Sequence, residues 1–339
     1  MNKIAYILLV LFSIQASIAQ EGPGAYMNYL SEDYEQITKD TWDYVRITSR
    51  GRNAGKIEKR RKELAATLRT VKYEVNKKKS YNGDKDLRDA IVKYLELSYL
   101  TINDDYKKIV DMEKIAEQSY DDMEAYIMTK EQVNAKLDSA YANLKLAQDS
   151  FAAKYNVTIT KGEKSRISKK LTSASKVNKY HNKVYLIFFR STFYEGEMLN
   201  AQNEERIGDI EQFRQTLEIV SDEGLNSLKE INAFQGDNSL VEACRSMLEF
   251  YRGEAIRYVP KQIEFFNQKD NFETVSKNFE TKKRGSLTQE DIDEYNSALE
   301  KYNKSIAEFN ETNAYLNKFR KKRAENFRET VSTFYDKFL

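Results

Sequence analysis

Gly55-Lys56-Ile57-Glu58-Lys59-Arg60-Arg61-Lys62-Glu63-Leu64 aligns without a gap on Gly208-Asp209-Ile210-Glu211-Gln212-Phe213-Arg214-Gln215-Thr216-Leu217. The two stretches share a glycine, an isoleucine, a Glu-x-x-Arg pair and a leucine at matching places. Downstream the offset holds: Gly83-Asp84 meets Gly236-Asp237, Leu87 meets Leu240, Ala90 meets Ala243, and Leu95-Glu96 meets Leu248-Glu249. With an insertion of about five residues in the second copy, near Thr274 to Ser286, Leu137, Tyr141, Leu144 and Phe151 fall on Tyr295, Leu299, Tyr302 and Phe309. Self-similarity at one offset is the signature of a duplicated structural unit.

Within each copy the apolar spacing is helical. Ile57, Arg61, Leu64, Leu68, Val71 and Val75 recur at three and four residues, as do Tyr295, Leu299, Tyr302, Ile306 and Phe309. That is the seam of helices packed at shallow angles. Four helices are expected per copy, in the first over 25–49, 53–80, 84–120 and 129–155. The second is stopped by Asn82-Gly83, the third capped by Asp84, and the fourth opened by Thr129 with Gln132. In the second copy Pro260 is expected to kink or break the third helix, because proline removes an intrahelical bond. The fold class is therefore all-α: two tandem repeated up-and-down helical bundles of long, coiled-coil-like helices. They are expected over 20–160 and 179–339, joined by a link over 161–178.

Composition agrees. Two prolines and 12 glycines in 339 residues provide few turns for an all-β chain, and 23 Tyr with 17 Phe make it too apolar for disorder. Residues 1–19 form a secretory signal peptide. Lys3 precedes an apolar run over 4–14, and Ser17-Ile18-Ala19 presents small residues to a signal peptidase. The run is about half the length a bilayer span needs. The expected location is the periplasm, the cell surface or the medium.

Chemistry has little to stand on. Cys244 is alone and set among core-type residues, where a buried inert thiol is expected. His181, the one histidine, follows Asn178 rather than the glutamate of a Glu-x-x-His ligand pair, and is expected at a surface or interface. No buried-face glutamate pair stands out, and no phosphate loop, nucleophile elbow or paired-cysteine motif is present. No enzyme activity, no cofactor and no metal are expected.

Charge carries the partner signal. Between Arg50 and Lys85 thirteen Lys or Arg face four Asp or Glu. Lys59, Lys62, Arg69, Lys72 and Lys79 are spaced by three and seven, which places them in one stripe away from the apolar seam. Their counterparts Gln212, Gln215, Asp222, Leu225 and Asn232 lack the charge, so the fold does not require it. An anionic partner follows: lipid headgroups, an envelope polysaccharide or an acidic envelope protein, but not nucleic acid, given the balanced total charge and the export signal. An ordinary solvated face is the plainer alternative. Glu58 with Arg61, and Glu211 with Arg214, put charge into the seam itself, and the expected role is an architectural ion pair.

The signal peptide, the repeated helical halves and Lys179-Tyr180-His181-Asn182-Lys183-Val184-Tyr185-Leu186-Ile187-Phe188-Phe189 together resemble an uncharacterised family of exported helical bacterial surface proteins, of the spirochaete type. The resemblance implies an envelope or surface location. The expected function is a non-enzymatic helical binding or scaffolding module. A membrane-active, pore-forming-like protein is the alternative, followed by a bundle enzyme with a carboxylate metal site.

Overall fold

The computed structural model describes residues 14–16, 22–50, 54–161 and 165–339. The chain is all-α, with one short antiparallel pairing between Ile14–Ala16 (β1) and Ile159–Lys161 (β2). Apart from β1, the expected signal peptide lies outside the described residues.

Two compact units divide the chain, Met1–Asn182 with Phe338–Leu339, and Lys183–Lys337. The first contains α1 (Pro23–Ser31), α2 (Tyr34–Arg50), α3 (Ala54–Lys77), α4 (Asp86–Leu100), a π turn over Thr101–Asp105, α5 (Tyr106–Ile115) and α6 (Tyr120–Lys154). Helix α2 packs on α3, α3 on α4, and α4 on α6. Tyr34, Tyr44, Tyr94 and Tyr106 are buried between them, with Leu64, Leu68 and Val75 on the seam of α3.

Helix α7 (Arg166–Asn203) crosses the division, so the segment expected to link the copies is helical from Arg166 onward. Its stripe is Leu171, Ala174, Val177, Asn178 and His181, all buried. Three of the five are small or polar, which hid the helical period. The second unit then follows with α8 (Ile207–Ser227), α9 (Ser239–Gly253), a π turn over Glu254–Tyr258, α10 (Val259–Thr281) and α11 (Gln289–Phe338).

Local features recur 153 positions apart (234 − 81). Tyr81 and Asp84 bridge a two-residue turn, and so do Phe234 and Asp237. Asn82 and Gly83 have φ of 51° and 84°; Gln235 and Gly236 have 50° and 84°. Two consecutive positive φ values define a mirror-image turn that favours Asn-Gly. Asp84 then accepts from the Asp86 amide, and Asp237 from the Ser239 amide, each at 2.9 Å. The π turns open at Thr101 and at Glu254. Only the second is followed by a proline, Pro260. The second helix is interrupted beside Pro260, which lies in the first turn of α10, and the first has the same wide turn without a proline.

Two details differ from the expected pattern. Helix α6 starts at Tyr120, capped by Ser119, whose hydroxyl accepts from the Asp122 amide at 3.0 Å; Thr129 lies inside it. The register of α11 also differs. Phe151 of α6 packs on Tyr81 at 5.8 Å, and Lys154 pairs with Asp84 at 2.7 Å. Their counterparts are Phe334 on Phe234 at 5.5 Å, and Lys337 with Asp237 at 2.6 Å. Phe334, not Phe309, therefore takes the place of Phe151, and α6 corresponds to α11 at an offset of 183 (334 − 151). The 25-residue difference is close to seven helical turns, so one apolar stripe fits both registers. The extra length lies in α10 and α11, where Phe265, Phe272 and Phe279 stack against Phe309, Tyr302 and Tyr295 at 4.2, 5.2 and 4.8 Å.

Candidate functional site: a basic groove and a buried ion cluster

The seam arginines answer a backbone need. A π turn displaces carbonyls from the regular ladder, and a buried carbonyl without a donor is costly. The Arg61 guanidinium donates to the carbonyls of Ile102 and Asn103 at 2.9 and 3.0 Å, inside the π turn that faces it. Its other edge grips Glu58 with two bonds of 2.8 Å. That contact holds the Glu58 carboxyl below its ordinary range. Arg214 repeats the grip on Glu211 at 2.7 and 2.8 Å, but reaches the Ala255 carbonyl only at 3.5 Å. Glu218 accepts from the same nitrogen at 3.1 Å, where the first unit has Ala65. Both arginines join a glutamate of their own helix to a carbonyl of the π turn that faces it.

The basic stripe does not stay together as one site. Arg69 and Lys72 line a groove of about 1550 Å³ over α4, walled by α3 and α6, whereas Lys59, Lys62 and Lys79 do not line it. Lys59 and Lys62 are exposed at the start of α3, near Glu63 and Glu58 at 3.9 and 3.6 Å. The groove recruits cations that sequence spacing did not reveal: Arg88 and Lys93 from α4 and Lys136 from α6. Its carboxylates are Asp89 and Glu96. Arg88 pairs with Asp89, Lys72 with Glu96, and Lys136 with Asp105. Arg69 and Lys93 have no hydrogen bond or ion pair among the described residues. Apolar surface lies beside them: Tyr73 is 57% exposed and Leu100 40%.

In the second unit the equivalent surface is filled. Ala140 of α6 corresponds to Arg323 of α11, which donates to the Ser246 carbonyl at 3.0 Å and to its hydroxyl, and lies over the Phe250 ring. Ser246 and Phe250 stand where Lys93 and Leu97 stand in the first unit.

That unit instead buries a charge cluster. Arg320 of α11 bonds both Glu195 of α7 and Glu254, the first residue of the π turn. Glu254 is 1% exposed and Glu195 5%. Burial, then Glu195, push the Glu254 carboxyl up to about 8, against the pull of Arg320. Burial raises Glu195 as well. One oxygen of Glu254 has no hydrogen-bond partner. A buried glutamate pair thus exists where none was expected. Its members are far apart in sequence, and the trace they leave is that position 254 is charged where its counterpart, Thr101, is not. The guanidinium takes the place a cation would need. Among the described residues no three His, Cys, Asp or Glu gather closely enough to hold a metal ion.

The two remaining candidates are buried. Burial pushes the Cys244 thiol up to about 12. His181, expected at a surface or interface, is buried, and burial, aided by Lys130, lowers it to about 4.

No family model, curated protein or solved structure matches the chain. Among the described residues no helix is long and apolar enough to cross a membrane.

Proposed function

We propose that the protein is an exported, non-enzymatic module of a bacterial envelope or surface, which binds an anionic partner on its first unit. The observation that carries this is the groove on α4, where five cations face two carboxylates and Arg69 and Lys93 are unengaged. Unpaired cations in a concave, partly apolar site raise the local concentration of an anion and hold it more firmly than a flat solvated face does. The shared offsets support a duplicated, coiled-coil-like helical design in which one copy kept an open groove and the other closed it. The leader-like residues 1–19 and the resemblance to exported surface proteins support the location.

The test is binding of the full chain to a simple polyanion, poly-L-glutamate. Retention should fall steeply as salt rises, and Arg69→Glu with Lys93→Glu should weaken it at least about tenfold at low salt. Binding that ignores salt and charge reversal, or no binding, refutes the proposal. N-terminal sequencing of protein recovered from the periplasm or medium tests export; a chain retained in the cytoplasm with its leader intact ends that part.

A further inference from the structure

We infer that the groove on α4 is a docking site for an acidic amphipathic helix of a partner protein. The inference deepens the anionic-partner reading and rests on it. Three observations select a helix from the possible anions. The first is size. About 1550 Å³ exceeds the range of roughly 300–1,000 Å³ usual for small molecules. The groove runs from Arg88 to Leu100 along α4, about 18 Å at helical rise, or some three turns of a bound helix.

The second is the distribution of character across the groove. Leu97 and Leu100 of α4 and the exposed Tyr73 of α3 form an apolar strip, with Arg69 on one wall and Lys136 on the other. A helix in a groove presents apolar anchors at i, i+3 or i+4 and i+7 with charges flanking them, which is the complement of this surface. A sulfated or uronic polysaccharide can lay the C–H face of a ring on Tyr73, but it has no alkyl side chains to fill the strip along Leu97 and Leu100. A headgroup layer is flat, and the site is concave.

The third comes from the second unit. There the equivalent floor is covered by the chain's own helix side chain, Arg323 of α11 over Phe250 and Ser246. The first unit has Ala140 at that position and Ser139 beside it. Small residues on α6 leave the space that a side chain of α11 fills in the other unit.

Ala140→Arg separates the mechanisms. It adds positive charge while filling the groove, so simple electrostatic attraction should strengthen and helix docking should weaken. The probe is a capped synthetic peptide with a leucine stripe flanked by glutamates, titrated into the full chain by fluorescence anisotropy. Its controls are a scrambled isomer, dextran sulfate and vesicles of phosphatidylglycerol. The helical peptide is expected to bind at least about tenfold more tightly than its scrambled isomer, and to gain helicity on binding. Ala140→Arg is expected to weaken binding by a similar factor. Leu100→Ser, at an exposed position that the fold tolerates, should do the same without added bulk. Equal binding of both isomers, tighter binding by Ala140→Arg, or a preference for dextran sulfate or the vesicles overturns helix docking and leaves the anionic-partner reading standing. If every anionic probe is ignored, both readings fall.

Discussion

At the π turn of the first unit stands Thr101, and the facing position on α6 is Leu137; both are fully buried and neither is charged. The corresponding places in the second unit hold Glu254 and Arg320, with Glu195 added from α7. Both arrangements accommodate the same wide turn. One does so with an apolar neighbour, the other with a buried polar cluster in which one guanidinium serves two glutamates. The fold therefore does not need the charges. They carry a large desolvation cost, offset only while every partner is in place.

That contrast can be broken directly. Arg320→Leu restores the residue type of the first unit but strands two buried glutamates, and should destabilise the second unit by about 3–5 kcal/mol. Amides of α9 should exchange faster with solvent deuterium, while those of α4 should not. Adding Glu195→Leu and Glu254→Thr should return the loss and leave the protein as stable as the natural chain, or more so. If Arg320→Leu alone is silent in denaturant titrations, the cluster is not held by Arg320 in solution.

The same cluster makes stability depend on pH in an unusual direction. Glu254 titrates near 4.5 when unfolded and is pushed up to about 8 when folded. Between those values the native state keeps a proton that the unfolded chain has lost. Its contribution is therefore greatest at the acid end and declines as pH rises toward 8. The slope is at most about 1.4 kcal/mol per pH unit for one group. Most exposed, paired carboxylates act in the opposite sense. Urea unfolding at several pH values should show Glu254→Gln with a flatter profile than the natural protein between pH 5 and 8. Parallel profiles would place the charge elsewhere.

How much of this was legible depends on where the information lies. Arg61 and Arg214 were visible as charges at seam positions, and their role as ion pairs followed from three-residue spacing. Their second role was hidden, because the carbonyls they serve lie on another helix and become free only in a π turn that no local motif announces. The groove was half legible: Arg69 and Lys72 stood out because Asp222 and Leu225 stand at the aligned positions 153 residues on, but Lys93, Lys136 and Ala140 come from other helices. The register of α11 was misplaced by 25 residues because a helix returns almost to the same face after seven turns. Anchoring on Lys337 with Asp237 resolves it, and that contact joins residues 100 apart.

The finest difference between the units is how firmly each seam arginine holds its π turn. Arg61 is 4% exposed in its side chain and donates to two carbonyls, whereas Arg214 is 16% exposed and divides one nitrogen between Glu218 and a distant carbonyl. Arg61→Met should orphan Ile102 and Asn103 and cost about 2–3 kcal/mol; Arg214→Met should cost about 1 kcal/mol less. Glu218 is the cause to test, since it competes for the nitrogen that would otherwise close on Ala255. Glu218→Ala copies Ala65 of the first unit, and in that background Arg214→Met should become as costly as Arg61→Met. Denaturant titration of the four variants forms a cycle whose coupling measures the competition. A coupling of zero would mean that the weaker grip in the second unit is set by backbone geometry and not by Glu218.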